Sequence, residues 1–236
     1  MSVLLVTGTD TGVGKTWVTC ALAHALMAAG QRVAAIKPVE TGCGDAAGHA
    51  EDGALLAAAT GQRSPRQALR RFAAPLAPAM AADDEGVPLE LGPLVREIER
   101  HAAGMDVLLV EGAGGLLAPI SWNWSAIELA RALNAAVLVV ASDRLGAINH
   151  TLLTLQALAQ AGLDVRGVAL IPPARPDRST GRNAAAISRL SGLERVTALP
   201  RVADPRAAGP SLAAVAGWVR NPGPAPALRP GPARRP

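Results

Sequence analysis

Five short stretches of this chain are apolar without alternating: "VLLVTG" (3–8), "RVAAIK" (32–37), "DVLLVEG" (106–112), "AAVLVVAS" (135–142) and "VRGVALI" (165–171). A strand with one face in water alternates, whereas a strand covered on both faces does not, so continuous runs point to a parallel sheet between helical layers. A weaker sixth run is "RVTALP" (195–200). Helical patterns separate the runs, among them "KTWVTCALAHALMAA" before Gly30 and "NHTLLTLQALAQA" before Gly162, each glycine suited to a left-handed helix end. Strand and helix in alternation imply right-handed crossovers and a doubly wound α/β sheet flanked by helices.

The segment 43–104 is poorer in strand signal and reads as helices joined by Pro-rich turns, an insertion within one domain spanning 1–220. Residues 221–236, "NPGPAPALRPGPARRP", carry nothing to bury and are expected to be disordered. The formal charge is +4, of which three arginines belong to that tail, leaving +1 for the body. A body so close to neutral does not steer a nucleic acid. Cys20 and Cys43 make no disulfide framework, and no apolar run reaches the ~18 residues of a membrane span. The N-terminus lacks a basic flank, so a cytoplasmic protein with reduced thiols is expected.

The chemistry begins at "VTGTDTGVGKTW" (6–17), which follows the first run and opens the first helix. Gly8, Gly12 and Gly14 let the backbone curl so that successive N–H groups face phosphate oxygens, and the helix start adds partial positive charge. Lys15 is placed to reach β- and γ-phosphates, and Thr16 to put its hydroxyl on Mg²⁺. The usual G-x-x-x-x-G-K-[ST] spelling wants glycine at position 9, where Thr9 stands, so the loop is one residue longer. Asp10 in its crown suits a cationic partner or a solvent-side hydrogen bond. Glu111 ends the third run in "VLLVEGAGG", where an acid can hold Mg²⁺ opposite Thr16. Lys37 ends the second run in "IKPVETG" and is suited to neutralise charge on a transferring phosphoryl group. Three strands thereby deliver polar groups to one edge, the edge where such sheets bind ligands.

Taken together, "GTDTGVGKT", "KPVETG", "VEGAGG" and "LGAINHTLLT", in this order over residues 2–202, resemble the dethiobiotin synthetases, enzymes of the P-loop NTPase type. The resemblance implies an ATP- and Mg²⁺-dependent ligase joining 7,8-diaminononanoate and CO₂ through a carbamate and a carbamic-phosphoric anhydride. It implies that Lys15 and Lys37 are catalytic, and that Thr16, Asp52 and Glu111 hold the metal, with Glu51 the rival to Asp52. Gly12, Val13, Gly14, Trp17, Gly112, Ala113, Gly114, Pro200, Arg201 and Val202 fall to the nucleotide. Thr11, Thr41 and Gly115 fall to the diamine, with Lys37 and Gly114 shared. The substrate carboxylate is assigned to Gly146, Ala147, Ile148 and Asn149 of a second subunit, which implies a homodimer. Ile171-Pro172 stand where many members carry Asn-Asp to read the base, so base recognition leans on backbone groups; Ala77-Pro78-Ala79 receive no role.

Two rival readings are weaker. A partition or septum-placing ATPase wants a lysine where Asp10 stands and a surface for DNA or membrane. A cobyrinate-type amidase synthetase wants a further glutamine-hydrolysing domain, for which residues after 202 offer no match.

Overall fold

A computed structural model describes residues 1–44, 50–208 and 210–220, so the expected tail at 221–236 and His49 lie outside the described residues. Six parallel strands form one sheet: β1 (Ser2–Gly8), β2 (Val33–Ile36), β5 (Val107–Gly115), β6 (Ala136–Ser142), β7 (Val165–Ile171) and β8 (Val196–Ala198). Their order across the sheet is β2-β5-β1-β6-β7-β8. All six expected runs are strands. The chain leaves central β1 toward one side and later crosses to the other, so the sheet reverses direction beside β1. A crevice opens at such a reversal, at the carboxyl ends of the strands.

Burial follows the pleat on both faces. Leu5, Leu108, Val110, Val137 and Val139 belong to one apolar core, with Leu94 and Ile98 of α4 (Leu91–His101). Leu4, Val6, Val107, Leu109, Leu138 and Val140 belong to a second, with Val18 and Leu22 of α1 (Lys15–Ala28). Strands covered twice have no solvent face to make polar, which is why their runs do not alternate. Gly30 and Gly162 adopt positive φ just beyond α1 and α6 (Ala147–Gln160), as the sequence suggests.

The expected helical insertion holds α2 (Asp52–Thr60), α3 (Pro78–Glu85) and α4, and it also holds a strand. β3 (Val39–Thr41) pairs in parallel with β4 (Arg70–Phe72) as a separate two-stranded sheet. Three residues each, one of them "RRF", give no apolar run to read. β5 also extends to Gly115, past the expected end at 112, because its glycines run alongside Gly8 of β1. No helix among the described residues is long and apolar enough to cross a membrane.

Candidate active site

The loop between β1 and α1, one residue longer than the usual spelling, closes back over the strand end. A Cβ on Gly8 would stand 2.8 Å from the Asp10 carbonyl oxygen and 3.1 Å from Lys15 Nζ. The loop therefore folds back over Gly8, and the Lys15 ammonium donates to that same Asp10 carbonyl at 3.0 Å. Asp10's carboxylate accepts from the Thr11 amide at 2.7 Å on the exposed side of the crown, the solvent-side role open to it in the sequence. Burial pushes Lys15's pKa down to about 8, assisted by the charge of nearby Lys37.

Opposite the loop, Lys37 is buried between two carboxylates. Its ammonium donates to Glu111 Oε1 at 2.7 Å, to Asp52 Oδ2 at 2.8 Å and to the Gly112 carbonyl at 3.2 Å. Burial works against that charge, yet Glu111 and Asp52 hold it protonated above the ordinary lysine range. Asp52 is only partly buried; Lys37 overrides what desolvation there is and draws its carboxyl below the ordinary range. The Thr16 hydroxyl lies 2.7 Å from Asp52 Oδ1 and 2.8 Å from Glu111 Oε1. One hydroxyl and two carboxylates thus converge as hard oxygen donors, the set that Mg²⁺ takes.

The donor set also has capacity to spare. Glu111 is fully buried and its Oε2 has no hydrogen-bond partner. A buried carboxylate oxygen without a partner is costly unless something cationic completes it. The Lys37 ammonium already stands as one cation on Asp52 and Glu111. The residues therefore fit a divalent metal. Glu51, the rival, lines the same cavity but gives its carboxylate to Arg71.

A cavity of about 770 Å³ gathers most of the expected positions: Thr11, Gly12, Gly14, Lys15, Thr16, Lys37, Thr41, Asp52, Glu111, Ala113, Gly114 and Gly115. Lys15 and Lys37 face this one space. Pro75, Leu76, Ala77, Pro78 and Ala118 line it as well. Ala77 and Pro78 received no role from the sequence and the other three went unmarked, because α3 reaches the cavity through packing; the Ala79 amide donates to the Pro119 carbonyl.

A second cavity, of about 720 Å³, shares Thr11, Gly12 and Gly14 with the first and continues past Val13 and Trp17 to Ile171-Pro172-Pro173 and Pro200-Arg201-Val202. Its walls are tied across by Trp17 Nε1 donating to the Val202 carbonyl at 2.8 Å and by Arg201 donating to the Pro172 carbonyl at 3.1 Å. Trp17, Ile171, Pro172, Pro173 and Pro200 supply apolar lining to this slot, beside Arg144 and Arg201.

Gly146, Ala147, Ile148 and Asn149 line neither cavity of their own chain. They form the start of α6, whose preceding loop is anchored by buried Asp143, a residue the motifs did not mark. The Asp143 carboxylate accepts from the Gly181 amide at 2.8 Å and from Asn183 Nδ2 at 2.7 Å. The thiols play no part in the geometry just described: Cys20 is buried in α1, where desolvation pushes its pKa up to about 12, and Cys43 is free.

Comparison with known proteins agrees with this geometry. A family model described as an AAA domain matches residues 2–208. The ATP-dependent dethiobiotin synthetase BioD of Anaeromyxobacter dehalogenans (strain 2CP-C) is 44% identical over 218 residues, 89% of this chain and 97% of that relative. The protein of the same name from Aquifex aeolicus is 41% identical over 201 residues, 85% of this chain and 90% of its own length. Among solved structures, the MinC:MinD cell division protein complex of Aquifex aeolicus superposes with a TM-score of 0.58 at 13% identity, over 100% of this chain and 99% of that one. The last likeness extends to the fold alone. Identity at this level along nearly the whole length, on a P-loop α/β sheet, places the chain in the family of ATP-dependent dethiobiotin synthetases.

Proposed function

We propose that the chain converts 7,8-diaminononanoate and CO₂ to dethiobiotin with ATP becoming ADP and phosphate, as a step of biotin synthesis. One observation supports this above all: two lysines and three oxygen donors share a cavity that has Thr11, Gly12 and Gly14 of the phosphate loop in common with a second, slot-like one. The slot is the place for adenine and ribose, and the shared loop residues for the phosphates. The space beyond Lys37, between Thr41 and Gly114-Gly115, is the place for the diamine.

Phosphoryl transfer needs position and charge neutralisation more than covalent catalysis. One amine of the substrate adds to CO₂ and loses a proton, giving a carbamate. A carbamate oxygen attacks the γ-phosphorus and ADP leaves. The second amine then attacks the carbamoyl carbon and phosphate departs as the ring closes. Lys15, reaching over Gly8, holds the β/γ-phosphate oxygens. Lys37 neutralises the oxygen shared by carbamate and γ-phosphoryl group. Thr11 and Thr41 offer hydroxyls to the amines and the carbamate, while Gly112, Ala113, Gly114 and Gly115 let the β5 backbone pass close to them. Thr16, Asp52 and Glu111 hold Mg²⁺, which when bound neutralises the triphosphate.

The family resemblance assigns the substrate carboxylate to residues 146–149 of a second copy, and none of the four lines either cavity of its own chain; this is the reading that calls for a homodimer. The test is stoichiometric. Purified chain should elute at the mass of two copies and release phosphate only when ATP, Mg²⁺, the diamine and bicarbonate are all supplied. Phosphate release stimulated by DNA or vesicles without the diamine would favour a switch ATPase instead.

A further inference from the structure

In the β3–β4 sheet, β3 carries Thr41 into the wall of the cavity, and the buried acid before it, Glu40, lines the same cavity but has no role in the chemistry above. Glu40 stands opposite Arg71 in the parallel register of the two strands. Both reach to the start of α2. Glu40 is buried and accepts from the amides of Asp52 and Gly53, the latter at 3.0 Å. Arg71 Nε donates to Glu51 at 2.8 Å. Three consecutive residues, Glu51, Asp52 and Gly53, are thus gripped from a sheet two strands wide.

The helix needs that grip. α2 has nine residues, and Glu51 at its N-cap gives no side-chain hydrogen bond to the first turn. A helix so short is marginal by itself, and its first amides require acceptors from elsewhere. Glu40 supplies them from twelve residues back. The packing is close: a Cβ on Gly53 would stand 2.2 Å from the Ala68 amide nitrogen. Residues just beyond Ala68 are tied in turn to the Lys37 strand end, Leu69 N to the Lys37 carbonyl and Arg70 N to the Pro38 carbonyl, each at 3.0 Å. The main chain of Asp52 is therefore fixed against the segment that carries Lys37, and its carboxylate is delivered between Thr16 and Lys37.

We propose that Glu40 is a positioning residue for the metal site, using the β3–β4 sheet as a rigid support that aims Asp52. The inference rests on the reading of Thr16, Asp52 and Glu111 as a divalent-metal site. Groups that orient a metal ligand change metal affinity without touching the metal, typically by ~10- to 100-fold. A mere helix cap behaves otherwise, lowering stability and leaving metal affinity per folded molecule alone.

The test uses the full chain, with Mn²⁺ as the probe in the presence of ADP, free Mn²⁺ being counted by electron paramagnetic resonance. Nucleotide affinity is measured separately with EDTA present. Glu40→Ala should weaken Mn²⁺ about 10-fold while metal-free ADP affinity stays within about twofold. Glu40→Gln keeps one acceptor and should fall between; it carries the test if the alanine variant does not fold. Ile98→Ala, buried on α4 away from the site, should lower the melting temperature with no change in Mn²⁺ affinity. Mn²⁺ affinity in the Glu40 variants within about twofold of wild type overturns the proposal. So does a loss of metal-free ADP binding in step with Mn²⁺. Wild-type protein that fails to bind Mn²⁺ with ADP overturns the metal site itself, a different failure.

Discussion

Lys37→Met should lower turnover by about 10²–10³-fold or more while nucleotide binding persists. The expectation follows from where the ammonium sits. It is almost fully buried, and it is the cation in contact with both Asp52 and Glu111. Methionine keeps the unbranched stem of the side chain and removes the ammonium together with its three hydrogen bonds. Without it, two carboxylates face each other, one of them fully buried and already short of a partner. Removing one member of a buried ion pair costs about 3–5 kcal/mol, because the remaining charge is left desolvated. The variant should therefore melt well below wild type in EDTA and recover most of that loss in Mg²⁺, which takes over the carboxylates. Wild type, with its own cation in place, should gain much less. Two measurements check this: phosphate release in a single turnover, and melting curves with and without Mg²⁺. A rate within tenfold of wild type removes Lys37 from the chemistry, and an identical Mg²⁺ response in both proteins removes it from the carboxylates.

The same residues show what could be read from the chain and what could not. The sheet was legible because its strands are buried on both faces, which leaves a mark in composition at each of six places. Lys15, Thr16, Lys37 and Glu111 were legible because each lies within a few residues of a strand end or helix start, where the local order of the chain fixes where it points. Asp52 against Glu51 was not: adjacent carboxylates at a helix start diverge, and only contacts decide which turns inward. Here Glu51 goes to Arg71 and Asp52 to Thr16 and Lys37. Arg71 lies in a three-residue strand with no apolar signal, so the deciding contact was invisible. Glu40 was hidden for the same reason, as its partners lie twelve and thirteen residues further on, at the start of α2. Asp143, anchoring the start of α6, depends on residues 181 and 183 after another strand. The start of α6 itself was legible as a motif, but its distance from its own cavity is a property of the folded chain.

The unusual spelling of the phosphate loop leads to the second large effect. Gly8→Val should abolish tight nucleotide binding, weakening ADP by about 100-fold, the discrimination lost when the groups that bind a ligand are displaced. The glycine is needed for space. The Cβ alone at position 8 would meet the Asp10 carbonyl oxygen and the Val13 side chain inside 3 Å, and the first of these is backbone that cannot rotate aside. The crown must lift, and Lys15 loses the carbonyl that holds its ammonium over the strand end. Overpacking of this kind also costs about 1–3 kcal/mol of stability. Gly12→Ala makes the contrast: its φ of 71° strains an alanine, but nothing stands within 4 Å of the added carbon. That change should cost about 1 kcal/mol and leave ADP affinity within several-fold, since strain alone does not move Lys15. Calorimetric titration of ADP into both variants, with the fold checked by circular dichroism, separates the two. If Gly8→Val binds ADP as Gly12→Ala does, the loop does not depend on closing over Gly8. The extra residue would then need another explanation.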